Sequence, residues 1–123
     1  MFQLRDEHQE AFEAAALAGF ERRAVAHVRA NFPDESSKLT DHEIRASARD
    51  GLRRSKAYGF ETERQVMRFV DTGFLIGPDF DTREDAAWTR MILNSVEDPV
   101  EQRSRWLLAC AQRAVKEQGT PES

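Results

Sequence analysis

Apolar residues recur at helical spacing along almost the whole of this chain. Between Arg5 and Ala30 no proline interrupts the pattern, and Phe12, Ala16, Phe20, Ala24, Val28 and Phe32 follow one another at i, i+4, the interval that stacks side chains along one flank of a helix. Leu17 and Val25 widen this face, while Glu10, Glu13, Glu21, Arg22 and Arg29 fall largely on the opposite one. Pro33 ends this first helix, because proline disfavours the helical conformation in the residue before it and brings no backbone donor. The stretch from Pro33 to Leu39 reads as a loop.

The later helices announce their starts through capping residues. Thr40-Asp41-His42-Glu43 sets a hydroxyl three residues before a glutamate, the arrangement that satisfies two orphan amides reciprocally. The second helix that follows has a thin apolar stripe of Ile44, Ala48 and Leu52. Gly51 costs it about 1 kcal/mol relative to alanine, so tertiary packing must supply the rest. It runs out at Tyr58-Gly59, with Arg53, Arg54 and Lys56 at its carbonyl end and Gly59 as the expected left-handed cap. Thr62-Glu63-Arg64-Gln65 is a second capping box. Behind it Val66, Phe69, Val70, Gly73 and Phe74 form a seam, with Met67, Leu75 and Ile76 on its flanks. This most apolar segment is expected at the centre of the molecule, and Gly77-Pro78 stops it.

Asp81 or Thr82 is expected to cap a fourth helix whose Trp88, Met91 and Ile92 face inward. After a break at Asn94 to Glu97, Asp98-Pro99-Val100-Glu101 combines an N-cap, a proline at the first helical position and a capping-box glutamate. Val100, Leu107, Leu108, Ala111 and Val115 are the expected inner face of this fifth helix, and Gly119 to Ser123 a frayed tail. No β-branched run alternates apolar with polar, so no strand is expected. The pattern predicts an all-α bundle of about five helices joined by short loops, mostly between antiparallel neighbours, in a single domain over 1–118 with a tail at 119–123.

Composition narrows the possibilities. A chain of 123 residues with 40% hydrophobic and 33% charged residues has room for one domain, and it can bury about two-thirds of its unfolded surface without help from disulfides or metals. Cys110 is the only cysteine, which excludes an internal disulfide and suits a reducing cytoplasm. No apolar run approaches the roughly 18 residues that span a bilayer, and the opening MFQLRDEHQE lacks the pattern of a signal peptide. A cytoplasmic protein with no membrane partner is expected. The net charge of −4 argues against general binding to nucleic acid or anionic lipid, which needs a positive field.

Candidate chemistry is sparse. Asp79, Asp81, Glu84 and Asp85 cluster, but an EF-hand loop starting at Asp79 needs glycine and glutamate where Glu84 and Arg90 stand, so the cluster reads as helix capping. His8, His27 and His42 lack metal-ligand spacing, although His27 can meet a carboxylate across helices. Cys110 lies among apolar neighbours and reads as a packed hydrophobe. No nucleophile elbow, phosphate loop, dinucleotide fingerprint or zinc pair occurs; no catalytic residue, cofactor or metal is expected, and the chain does not read as an enzyme. Arg45, Arg49 and Arg53 repeat at i, i+4 and form a basic flank that reads as a solvated face or as one that meets acidic residues of the same protein or of an acidic partner. Joined to the third helix they imitate a helix-turn-helix, yet that helix is the most apolar of all and carries only Arg64 and Arg68. Most of the eight phenylalanines, Trp88, Trp106 and Tyr58 are expected in the core of so small a bundle, yet the wide apolar faces of the fourth and fifth helices have enough to leave some exposed, and Trp88, Met91 and Trp106 are the candidate partner anchors.

Several segments carry a resemblance. Tyr58-Gly59-Phe60-Glu61-Thr62-Glu63, then Val66, Phe69, Val70 and Phe74, then Gly77-Pro78-Asp79-Phe80-Asp81, Trp88 and Ile92-Leu93 resemble small helical proteins of Gram-negative bacteria encoded beside type VI secretion effectors, spike-tip proteins and their chaperones. Phe20-Glu21-Arg22, His27-Val28-Arg29 and Asn31-Phe32-Pro33 extend the likeness over nearly the whole chain. Ala87 stands where the family often has a proline before the tryptophan. The resemblance implies an accessory or co-chaperone role: holding a secretion effector, or the larger adaptor that loads it onto the spike. The competing expectation is a small helical regulator, either an immunity protein or a DNA-associated factor.

Overall fold

A computed structural model describes residues 10–119, which form helices joined by short turns and loops, with no strand among them. The helices are α1 (Glu10–Asn31), α2 (Pro33–Ser36), α3 (Asp41–Lys56), α4 (Glu63–Ile76), α5 (Ala87–Leu93) and α6 (Val100–Gly119), with a 3-10 turn at Glu84–Ala86 leading into α5. The segment expected at the centre is there: α4 packs against α6, α3 and α1, and α5 lies on α6. Its Phe69 sits in an aromatic cluster, edge-on to Phe60 at 5.7 Å and 4.8 Å from Phe80. Phe20, Ala24, Leu52, Val66, Leu93 and Leu107 complete the core around it.

Of the three neighbours of α4, α3 is antiparallel to it as expected, but α1 and α6 are not. Arg23 meets Glu63 and His27 meets Asp71, so α1 and α4 run the same way. Gln65 meets Glu101 and Arg68 meets Ser104, which makes α6 parallel to α4 as well. The chain returns through α3 between α1 and α4 and through α5 between α4 and α6.

Local chemistry fixes the boundaries. Both threonine boxes form: Thr40 Oγ1 accepts from Glu43 N at 3.1 Å while Glu43 accepts from Thr40 N at 2.9 Å, and Thr62 and Gln65 repeat the exchange. Gly59 takes a positive φ of 89°, and the bonds from Phe60 N to Ser55 O and from Gly59 N to Lys56 O close α3 in a Schellman turn. Gly77 likewise closes α4 with φ 113°. Gly51 has a packing role that outweighs its helix propensity. A β-carbon there would lie 2.6 Å from Cγ2 of Val70, so only glycine lets α3 approach α4 this closely.

Four expectations need correction. The stretch after Pro33 contains one helical turn, α2, with Pro33 at its start; Arg29 leaves the solvent face to bond Ser36 O at 2.7 Å, Leu39 O at 3.0 Å and Asp41 at 2.7 Å, tying α1 to the start of α3. The fourth long helix begins only at Ala87 and has no side-chain cap, because Asp81 is buried and accepts hydrogen bonds from Arg54 and from the Tyr58 hydroxyl. With that late start Thr89 and Leu93 point inward, Trp88 and Ile92 reach only the edge of the core, and Met91 faces solvent. The last helix opens at Val100, with the Pro99 carbonyl taking the first helical bond from Arg103 N at 3.0 Å; Asp98 is thus one residue too early to cap. Leu107 and Ala111 lie on its buried seam as expected, but Arg103 and Ser104 share it, and Leu108 and Val115 are only half-buried. Residues 5–9 of the expected first helix, His8 among them, the Phe12 side chain and residues 120–123 of the expected tail lie outside the described residues; Gly119 ends α6.

Candidate interaction surface

The outer face of α5 and α6 is built by the positions left over from the core. Thr89 is drawn inward by its hydroxyl, which donates to Ala86 O at 2.7 Å and Phe80 O at 3.1 Å, and Leu93 follows one turn later. Met91, between them, is consequently 75% exposed. On α6 the inward seam of Leu107 and Ala111 leaves Trp106 at 43% exposure, with Cys110 one turn after it on the same outer side. Trp88, Met91 and Ile92 from α5 and Cys110 and Ala114 from α6 line a groove of about 350 Å³. Val96, in the α5–α6 connection, adds another exposed apolar side chain. Two of the three aromatic or sulfur-bearing anchors expected from the sequence therefore share this groove, and Trp106 stands one helical turn before it.

The basic flank is elsewhere. α3 packs on α1 and α4, whereas α5 packs on α6, so Arg45, Arg49 and Arg53 stand on a different side of the bundle from the anchors. Arg49 pairs with the nearly buried Glu21 at 2.9 Å, and Arg53 pairs with Asp50. Only Arg45 of the three has no ion-pair partner among the described residues. In the segment that imitates a helix-turn-helix, α4 packs against α6, α3 and α1, and its Arg68 is held by Glu101 and Ser104.

The sequence reading missed a second groove. About 560 Å³ opens between α3 and α4, lined by Ala46, Gly51, Val70, Gly73, Phe74 and Phe80, with Ser47 and Asp50 its only polar side chains. Three glycines, Gly51, Gly73 and Gly77, contribute to its lining.

Several titratable groups are turned toward the protein itself. His27 Nε2 lies 2.8 and 2.9 Å from the two carboxylate oxygens of Asp71, joining α1 to α4. Burial pushes the Asp71 carboxyl above the usual aspartate range, and the histidine contact opposes that shift. The other ring nitrogen of His27 faces the Asn31 amide at 3.3 Å, so the pair orients no hydroxyl or thiol nucleophile. In the acidic turn, Arg83 takes Asp79 and Asp85 while Arg54 takes Asp81. Among the described residues no group of three or more histidine, cysteine or acidic side chains can hold a metal ion, and no helix is long and apolar enough to cross a membrane.

Arg103 was also missed. It is 6% exposed and donates to the carbonyls of Leu93 at 2.6 Å, Asp98 at 2.9 Å and Tyr58 at 3.2 Å. The carbonyl end of α5 and the turn that closes α3 thus supply the negative pole for a buried guanidinium. No family model, no curated protein and no solved structure matches the chain.

Proposed function

We propose that this is a non-enzymatic accessory protein that holds another protein through the outer face of α5 and α6. The observation that carries the reading is the exposure of Met91 and Trp106 on one face beside an apolar groove, since large apolar groups left in water at one place mark a partner site. The engagement of His27, Asp71 and the acidic turn in internal contacts supports a binding role over a catalytic one. The resemblance of the Tyr58 to Asp81 segments adds a context: a co-chaperone for a type VI secretion effector, or for the adaptor that loads it onto the spike.

Co-expression of the tagged protein with the products of its neighbouring genes tests this. The reading expects one of them to co-purify stoichiometrically. It also expects Met91→Asp or Trp106→Ala to weaken capture by about thirty-fold, the equivalent of a 2 kcal/mol anchor, with helicity unchanged. Capture undiminished by both substitutions would contradict the face, and failure to retain any neighbour would contradict the co-chaperone role.

A further inference from the structure

The same groove ends in two charges of opposite sign. Arg113 and Glu117 line it beside Cys110 and Ala114, one helical turn apart, yet neither has an ion-pair partner among the described residues. Three other pairs at this spacing do form, Asp50 with Arg54, Asp79 with Arg83 and Glu101 with Arg105. In each of those the acid precedes the base, the order that suits the helix dipole in the two pairs that lie on helices, Asp50 with Arg54 and Glu101 with Arg105; here the base precedes the acid. The apolar centre is therefore flanked by one unused positive and one unused negative group.

A partner face of a single sign gains at one of these charges and loses at the other. A second copy of the chain meets both, because a two-fold axis makes every contact reciprocal. We propose that, in the absence of a partner, the protein forms a two-fold dimer through this groove, with the α6 helices of the two copies antiparallel and meeting beside Ala114, so that Arg113 of each faces Glu117 of the other. This rests on the reading of the α5–α6 face as an interface, and it adds regulation: self-association covers the face and a partner must displace the second copy.

Sedimentation equilibrium of the full chain under reducing conditions tests the dimer over about 5 to 500 µM, a span suited to a small interface. The native protein is expected to dimerise, and Arg113→Glu or Glu117→Arg alone to raise the dissociation constant about ten-fold or more, since each change acts twice across the axis. The double reversal restores dimerisation, and an equimolar mixture of the two single variants forms the heterodimer that neither forms alone. Both residues are exposed, so circular dichroism is expected to be unchanged. A native protein that stays monomeric overturns the dimer, as does a double reversal no better than the singles. Neighbour capture is measured separately: a monomer that captures its neighbour removes only the dimer, and a dimer that captures none removes only the partner reading.

Discussion

Arg103 is the residue on which most of the α3, α5 and α6 connections converge. Its three carbonyl partners lie 5, 10 and 45 residues away in sequence. Replacing it by methionine keeps the bulk but strands buried carbonyls at about 1–3 kcal/mol each, so Arg103→Met is expected to lower unfolding free energy in urea by roughly 3 kcal/mol or more. A loss under about 1 kcal/mol would mean that the carbonyls find other donors. Gly51 makes a prediction of opposite sign to helix propensity. Alanine gains about 1 kcal/mol in an isolated helix, but its β-carbon meets Val70 Cγ2 at 2.6 Å, so Gly51→Ala is expected to destabilise and Val70→Ala to recover part of the loss. Thermal melts of the two variants and their combination check this. Neither role was legible in sequence, because a distant carbonyl and a facing valine leave no mark on the residue's own neighbours. The threonine boxes were legible because their partners stand three residues away.

At the scale of elements, α5 shows where pattern reading fails. Seven residues give less than two turns, too few for apolar spacing to fix a phase, and the side chain that sets it is polar: buried Thr89, satisfied by two backbone carbonyls. α4, twice as long, declared its central place through its apolar content alone. The joint between α1 and α4 carries a pH prediction. Asp71 titrates higher in the folded chain than in the unfolded one, so the folded state binds the extra proton between those two values. Its contribution to stability is therefore fully present below the unfolded value, about pH 4, and is lost as pH rises through the raised folded value. Asp71→Asn has no such loss. Its stability relative to the native protein is expected to climb with pH across that interval and then level off, as read from urea unfolding at a series of pH values. A constant offset at every pH would contradict the assignment.

For the whole molecule, the all-helical fold was readable because capping, periodicity and glycine stops agree along the chain. The interaction surface was readable only in part. Aromatic and methionine content pointed to Trp88, Met91 and Trp106, but which of them face water follows from how α5 and α6 pack. In the arginine flank the spacing left open which acids the basic groups meet: Arg49 pairs with Glu21 of α1 and Arg53 with Asp50 of its own helix. The central claim is that the outer face of α5 and α6 holds the partner, and Trp88 and Trp106, the chain's only tryptophans, both report on it. The most direct measurement is the nuclear magnetic resonance of their two indole N–H groups as the co-purified neighbour is added to saturation. The account predicts that both resonances shift or broaden, while the methyl signals of Val70 in the α3–α4 groove stay in place. Indole signals that remain still in a saturated complex, with the Val70 methyls moving instead, would contradict it.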